Sequence, residues 1–208
     1  MSPRSEKQNQ QIKDERREKI LKAAIQVFAD KGYATTKITD IAAAAGMSHG
    51  LIYHYFASKE AVYAEIVEDA VQKSVQMSTA ALEQPGTPWE RIQLMCARTL
   101  EGIREYPEYY AIIVQVLTNP EIPLEVRTFL REAGNTTYLN MFSLIREGQE
   151  SGQVVAGNPF ELTNAYYDLI QGIAIRNVVA RQQASSLQED AGIYPFITTD
   201  TVLRLLKA

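Results

Sequence analysis

The residues with the widest chemical repertoire crowd into one short stretch: Ser48, His49, Tyr53 and His54, with Lys37 and Thr39 before them and Lys59 after. A metal site does not suit this pattern. His49 and His54 are five apart, which puts them on different faces of a helix, and no cysteine or carboxylate stands at ligand spacing. A nucleophile-base pair does not suit it either, because the neighbours Ser48 and His49 cannot face each other on a helix. The chain has no GxSxG, HExxH, Walker A or GxGxxG motif. No cofactor, metal or enzymatic activity is therefore expected. What these side chains can do is hydrogen-bond and place positive charge, the chemistry of a surface that reads a polyanion.

The elements that would position them are short. Ile38 to Ala45 reads as a small helix, rich in alanine so that another helix can pack close, with Ile38, Ile41, Ala42 and Ala45 inward. Gly46-Met47 is a tight turn. Ser48 is a good N-cap for a helix through Tyr55, with Leu51, Ile52 and Phe56 packing inward. Two short helices joined by a glycine-containing turn describe a helix-turn-helix, whose second helix lies in the DNA major groove with its first residues at base edges. In that frame Ser48 and His49 reach bases or phosphates, and Gly50 lets the backbone come close. Tyr53 and His54 reach phosphates one turn on. Lys59 adds charge at the next helix N-terminus, where backbone amides can bind phosphate. Lys37 and Thr39 open the helix that crosses the backbone.

The rest of the chain reads as all-α, about nine helices, with no sustained period-two alternation. Residues 1–13 read as a disordered polar tail. Ile20, Leu21, Ala24, Val27 and Phe28 share one helix face, stopped at Gly32. Ser58 caps a fourth helix to about Leu82. Thr87-Pro88-Trp89-Glu90 is a capping box with proline at the first helical position, and Asn158-Pro159 repeats the signature. Pro107 opens another helix, a long one runs from about Pro123 to Gln149, and Ser185 to Gly192 reads as a polar loop. With 208 residues, 46% apolar and 22% charged, the chain can bury a sizeable core and is not predominantly disordered. No apolar run is long enough to span a membrane. The polar N-terminus lacks a secretory pattern, so a cytoplasmic location is expected. The single Cys96 excludes an intrachain disulfide and reads as core. Charge is uneven. Residues 1–60 carry 10 Lys and Arg against 7 Asp and Glu, and residues 61–208 carry 11 against 18. A basic N-terminal quarter on an acidic body suggests separate partners for each.

Over about residues 16–65 the pattern becomes specific. Ile20-Leu-x-Ala-Ala24, Phe28-x-x-x-Gly32-Tyr33, Thr35-Thr36, Ile41-Ala42-x-x-Ala45-Gly46, Ser48-x-Gly50-x-x-Tyr53-x-Tyr55-Phe56 and Ser58-Lys59-Glu60 occur in order. This resembles the DNA-binding domain of the TetR family of bacterial transcriptional regulators. Met47 stands where the family often has valine, and His49 is at a variable position, which marks it as a candidate specificity residue. The resemblance implies a helix-turn-helix DNA-binding domain over 14–60 and a ligand-binding and dimerisation domain over 61–208. It also implies a homodimer on a pseudo-palindromic operator in double-stranded DNA, and a small-molecule effector whose binding releases DNA, which is the behaviour of a repressor. Activation without that effector response, a helical interaction module that has lost DNA binding, and a small helical enzyme are the alternatives.

Large, adaptable side chains in the body suit an apolar pocket with hydroxyl handles for a hydrophobic or aromatic effector. They are Met77, Trp89, Met95, Tyr109, Tyr110, Ile113, Leu117, Tyr138, Met141, Phe142, Tyr166, Tyr167 and Ile170. Each could equally be ordinary core. With the resemblance, Ala165, Leu169, Gly172, Ile173, Arg176 and Val179, together with C-terminal Val202, Leu203 and Leu206, would form a four-helix dimer seam. An internal packing face is the alternative.

Overall fold

The computed structural model describes residues 3–187 and 196–208. These form nine helices: α1 (Pro3–Lys31), α2 (Ile38–Ala45), α3 (His49–Tyr55), α4 (Lys59–Leu82), α5 (Pro88–Glu105), α6 (Pro107–Thr118), α7 (Leu124–Glu150), α8 (Pro159–Leu187) and α9 (Thr199–Leu203). No strand is present among the described residues.

The start and stop signals act as their chemistry dictates. Ser48, Ser58 and Thr87 each accept a hydrogen bond from the amide three residues on. Thr87 and Glu90 close a capping box in which the Glu90 carboxylate takes the Thr87 amide at 2.7 Å. Asn158 accepts the Phe160 amide at 3.0 Å. Gly46 ends α2 at φ +63°, a left-handed conformation that favours glycine.

Two expectations are corrected. The first helix begins at Pro3, not near Asp14. Residues 7–16 are exposed all round, and Gln10–Asp14 and Gln11–Glu15 hydrogen bonds one turn apart carry the helix outward without packing. At the other end α8 runs to Leu187, into the stretch read as a loop from Ser185; residues 188–192 of that stretch lie outside the described residues.

Two apolar cores form. The first joins Ile20, Ala24 and Phe28 of α1, Ile41 of α2, Ile52 of α3 and Tyr63 and Ile66 of α4 to Ile112 and Val116 of α6 and Val126 of α7. The second joins Ile92, Met95 and Cys96 of α5 to Met141 and Leu144 of α7, Tyr166 and Ile173 of α8 and Val202 and Leu206 of α9. α4, α6 and α7 contribute to both. The C-terminal segment is fastened to the α7–α8 turn, with the Val155 amide donating to the Leu206 carbonyl at 2.9 Å. Gly148 permits this closure, since a Cβ there would stand 2.4 Å from Val154.

Candidate nucleic-acid interface

α3 is held from behind. Ile52 is fully buried and Phe56, its C-cap, is nearly so. The Arg17 guanidinium stacks 4.8 Å over the Phe56 ring while pairing with the Glu65 carboxylate, tying α1 to the start of α4. With its inner side fixed, α3 presents Ser48, His49, Gly50, Tyr53 and His54 to solvent. His49 and Tyr53, one turn apart, meet ring edge to face at 4.8 Å, so they form one protruding aromatic pair. The Ser48 hydroxyl oxygen accepts the Leu51 amide at 3.3 Å, which leaves its proton free to donate outward. A Cβ at Gly50 would meet nothing within 4 Å, so the free chain does not itself require glycine there.

Lys37, the N-cap of α2, and Thr39 in its first turn are both exposed. Its start is fixed by Asp40, whose carboxylate takes the Lys31 ammonium at 2.8 Å and the Lys37 amide at 2.9 Å. Those two contacts hold the Asp40 carboxyl below its usual range. All of these expected residues are exposed, and Lys59 differs. Lys59 is half-buried. Its ammonium donates to the Tyr33 carbonyl at 3.0 Å and lies 4.6 Å over the Tyr33 ring. Its charge is engaged in fixing the α1–α2 loop instead of standing out toward a phosphate, because the loop carbonyls lie within reach of the α4 N-terminus.

Sequence reasoning missed how that loop is anchored. The Gln115 side chain on α6 donates to the Phe28 carbonyl at 2.9 Å and accepts the Tyr33 amide at 3.1 Å. Tyr33 donates its hydroxyl to Glu60 at 3.3 Å, and burial together with that carboxylate raises its pKa to about 12. Phe28, Tyr33 and Tyr63 pack as an aromatic box, with Tyr63 set edge-on to each of the other two at 4.9 and 4.8 Å. The Tyr63 hydroxyl reaches the Ile112 carbonyl of α6 at 3.3 Å. No local pattern announces Gln115, which acts across 82 residues.

The body distributes the two expected residue sets as follows. The expected effector residues are dispersed. Met95, Met141 and Tyr166 are fully buried core and Ile170 is nearly so, while Leu117 is 51% exposed. Trp89 lines a shallow groove of about 290 Å³ with Gln93, Asp200, Leu203, Arg204 and Lys207 at the C-terminal end. Met77, Tyr109, Tyr110, Ile113, Tyr138, Phe142 and Tyr167 are half-buried. Tyr109 and Ile113 sit against the first core and Tyr110 and Tyr167 against the second. Tyr138 stacks on Tyr167 at 5.7 Å, and Phe142 lies 4.4 Å from Phe160. Of the expected seam, Ile173, Val202, Leu203 and Leu206 are buried within this chain, because α9 packs onto α5 and α8 instead of standing beside α8. Ala165, Gly172, Arg176 and Val179 remain exposed and Leu169 half-buried. Among the described residues no helix is long and apolar enough to cross a membrane, and no three His, Cys, Asp or Glu side chains gather as metal ligands.

Residues 20–66 match the family described as "Bacterial regulatory proteins, tetR family". The chain is 25% identical over 199 residues to the uncharacterized HTH-type transcriptional regulator YfiR of Bacillus subtilis, covering 93% of this chain and 95% of YfiR. It is 31% identical to the HTH-type transcriptional repressor KstR2 of Mycolicibacterium smegmatis, over 48% of each chain. Its fold superposes on the TetR family transcriptional regulator PfmR from Thermus thermophilus with a TM-score of 0.64 at 26% identity, covering 74% of this chain and 84% of PfmR. The exposed α3 on a buried anchor lies inside the matched segment, and these relatives are named as transcriptional regulators. Residues 20–66 thus carry the match to the tetR family of bacterial regulatory proteins, and over its length the chain is similar to HTH-type transcriptional regulators.

Proposed function

We propose that the chain is a repressor that binds a pseudo-palindromic operator as a homodimer and is released by a small apolar or aromatic effector. The observation that carries this reading is a preformed reading face. α3 holds Ser48, His49, Tyr53 and His54 outward on a buried Ile52, so the fold itself presents the side chains that would meet an operator. The effector must favour the DNA-incompetent arrangement, or it shifts nothing. KstR2, a relative, is named a repressor. We place base reading at Ser48, His49 and Gly50 and phosphate contact at Lys37, Thr39, Tyr53 and His54. Effector contact belongs to half-buried side chains at the margins of the cores, with Ile113 on α6 beside the first and Tyr110 on α6 and Tyr167 on α8 beside the second as the leading candidates.

Selection of random duplex DNA by the purified protein at two salt concentrations tests the reading. Enrichment of an inverted repeat is the expected result. Binding without enrichment that disappears as salt rises reflects phosphate contacts alone and sinks the operator reading. Once an operator is in hand, a promoter fused to it reports repression or activation. His49→Ala is expected to relax base preference at one position in each half-site, by about 1–3 kcal/mol of discrimination. An unchanged selected sequence removes His49 from the reading set.

A further inference from the structure

The inner side of α8 is committed to the second core through Tyr166, Ile170, Ile173 and Ala174. Its other side carries Ala165, Asp168, Gly172, Ile175, Arg176 and Val179, spaced as one helix face and all open to solvent. Ile175 is 40% and Val179 44% exposed, high for branched apolar residues. A groove of about 390 Å³ runs along this face past Gly172, Ile175, Arg176 and Val179. A Cβ on Gly172 would meet nothing within 4 Å, and its backbone is ordinary helix. Nothing inside the chain therefore asks for glycine at a position where it weakens a helix.

The charges on this face are arranged about that glycine. Asp168 lies one turn before it and Arg176 one turn after. Neither enters an ion pair among the described residues. A two-fold contact is self-complementary, so residue i meets j and j meets i. If two copies of α8 cross antiparallel at Gly172, residues equidistant from it face each other. Asp168 then meets the partner's Arg176, and Arg176 meets the partner's Asp168. By the same symmetry Ala165 faces Val179 and Leu169 faces Ile175, a smaller against a larger apolar side chain in each pair. A parallel crossing would set Asp168 against Asp168 and Arg176 against Arg176. The bare backbone at Gly172 is what allows two helices to approach at the crossing point.

We infer that the occupant of this face is a second copy of the chain, crossing antiparallel at Gly172 and held in register by two reciprocal Asp168–Arg176 ion pairs. The inference rests on the homodimer reading and adds its register and its charge dependence. Charge reversal tests it, with sedimentation velocity and native mass spectrometry of the full chain as readouts. Both positions are exposed, so helicity and thermal midpoint serve as folding controls. Asp168→Arg alone and Arg176→Asp alone are each expected to weaken the dimer at least tenfold. The D168R/R176D double variant is expected to recover it. Mixing the two single variants is expected to yield heterodimer well above the random share, because only the mixed pair sets Arg against Asp at both contacts.

A wild-type dimer whose single reversals are undiminished, or a mixture with no heterodimer excess, overturns the register and leaves the homodimer standing. A wild type that stays monomeric at every concentration overturns the homodimer reading and this inference together. A dimer that is weakened by the single reversals but not recovered in the double variant also overturns the pairing.

Discussion

The two cores are similar in composition but differ in ownership. The second is built from the C-terminal part of the chain alone: the end of α4, then α5, α6, α7, α8 and α9. The first is shared. α1 to α3 supply only one side of it, and Tyr63, Ile66, Val67, Ile112, Val116, Ile122 and Val126 supply the other. α1 to α3 thus do not close a core of their own. Their core is completed by the helices that also bound the second core. α6 makes the difference concrete. Ile112, Val116 and Gln115 face the reading head, while Tyr110 and Val114 face the body. A displacement of α6 caused on one side must be felt on the other, because packed cores deform in discrete steps.

The largest effect that would break this contrast is autonomy. A fragment of residues 1–60 is expected to show no cooperative thermal transition by circular dichroism, since half of its core is missing. A sigmoidal transition would restore the picture of an independent head. Next is Tyr63→Ala, expected to cost about 3–5 kcal/mol in urea unfolding, because it opens the aromatic box and removes the bond to Ile112. If the first core were peripheral, the loss would be near zero. Gln115→Ala is expected to cost about 1–2 kcal/mol, the penalty for leaving the part-buried Tyr33 amide without its partner. It is also expected to reduce the effector-induced loss of operator affinity, read by fluorescence anisotropy with and without effector. Unchanged effector response would remove Gln115 as a link.

The smallest effect is in acid, and each region has its own sensor. Asp40 in the head and Glu90 at the α5 cap are both held below their ordinary values, Asp40 chiefly by Lys31 and Glu90 chiefly by the Thr87 amide. A depressed carboxyl adds stability above its unfolded value, near 3.8 for Asp40 and 4.5 for Glu90. That contribution is lost as pH falls through the lower folded value. Asp40→Asn and Glu90→Gln are each expected to flatten the fall in thermal midpoint below about pH 4.5. A midpoint that falls as steeply in both variants would show that these carboxylates carry none of the acid response.

Much of this was legible in the sequence where the cause is local. Caps, prolines at helix starts, the Gly46 turn and the helical spacing of apolar residues depend on neighbours a few positions apart, and the helices stand where those signals put them. The exposed side of α3 was legible because α3 needs only a buried Ile52 and an exposed opposite side. What escaped were contacts set by the packing of distant helices. Lys59 carries the same charge in either role, and only the nearness of the Tyr33 and Ala34 carbonyls decides that it folds back. Val202, Leu203 and Leu206 make an apolar helix end that suits a dimer seam or a core equally, and their burial within the second core follows from where distant helices lie. Large apolar side chains in the body follow one spacing whether they line a cavity or fill one, so Met95 and Leu117 were indistinguishable until their exposure was known.

The fully buried Cys96, with its thiol pushed up to about 11 by burial, has a practical consequence. It is the chain's single sulfhydryl, and in the folded protein it is neither accessible nor ionised at neutral pH. The native chain therefore offers a silent background for thiol labelling. A cysteine placed at exposed Thr39 or His54 would take a spin label or fluorophore alone, without first removing the natural one. In a dimer, two such labels would form a ruler between the reading helices, able to report their separation as effector is added.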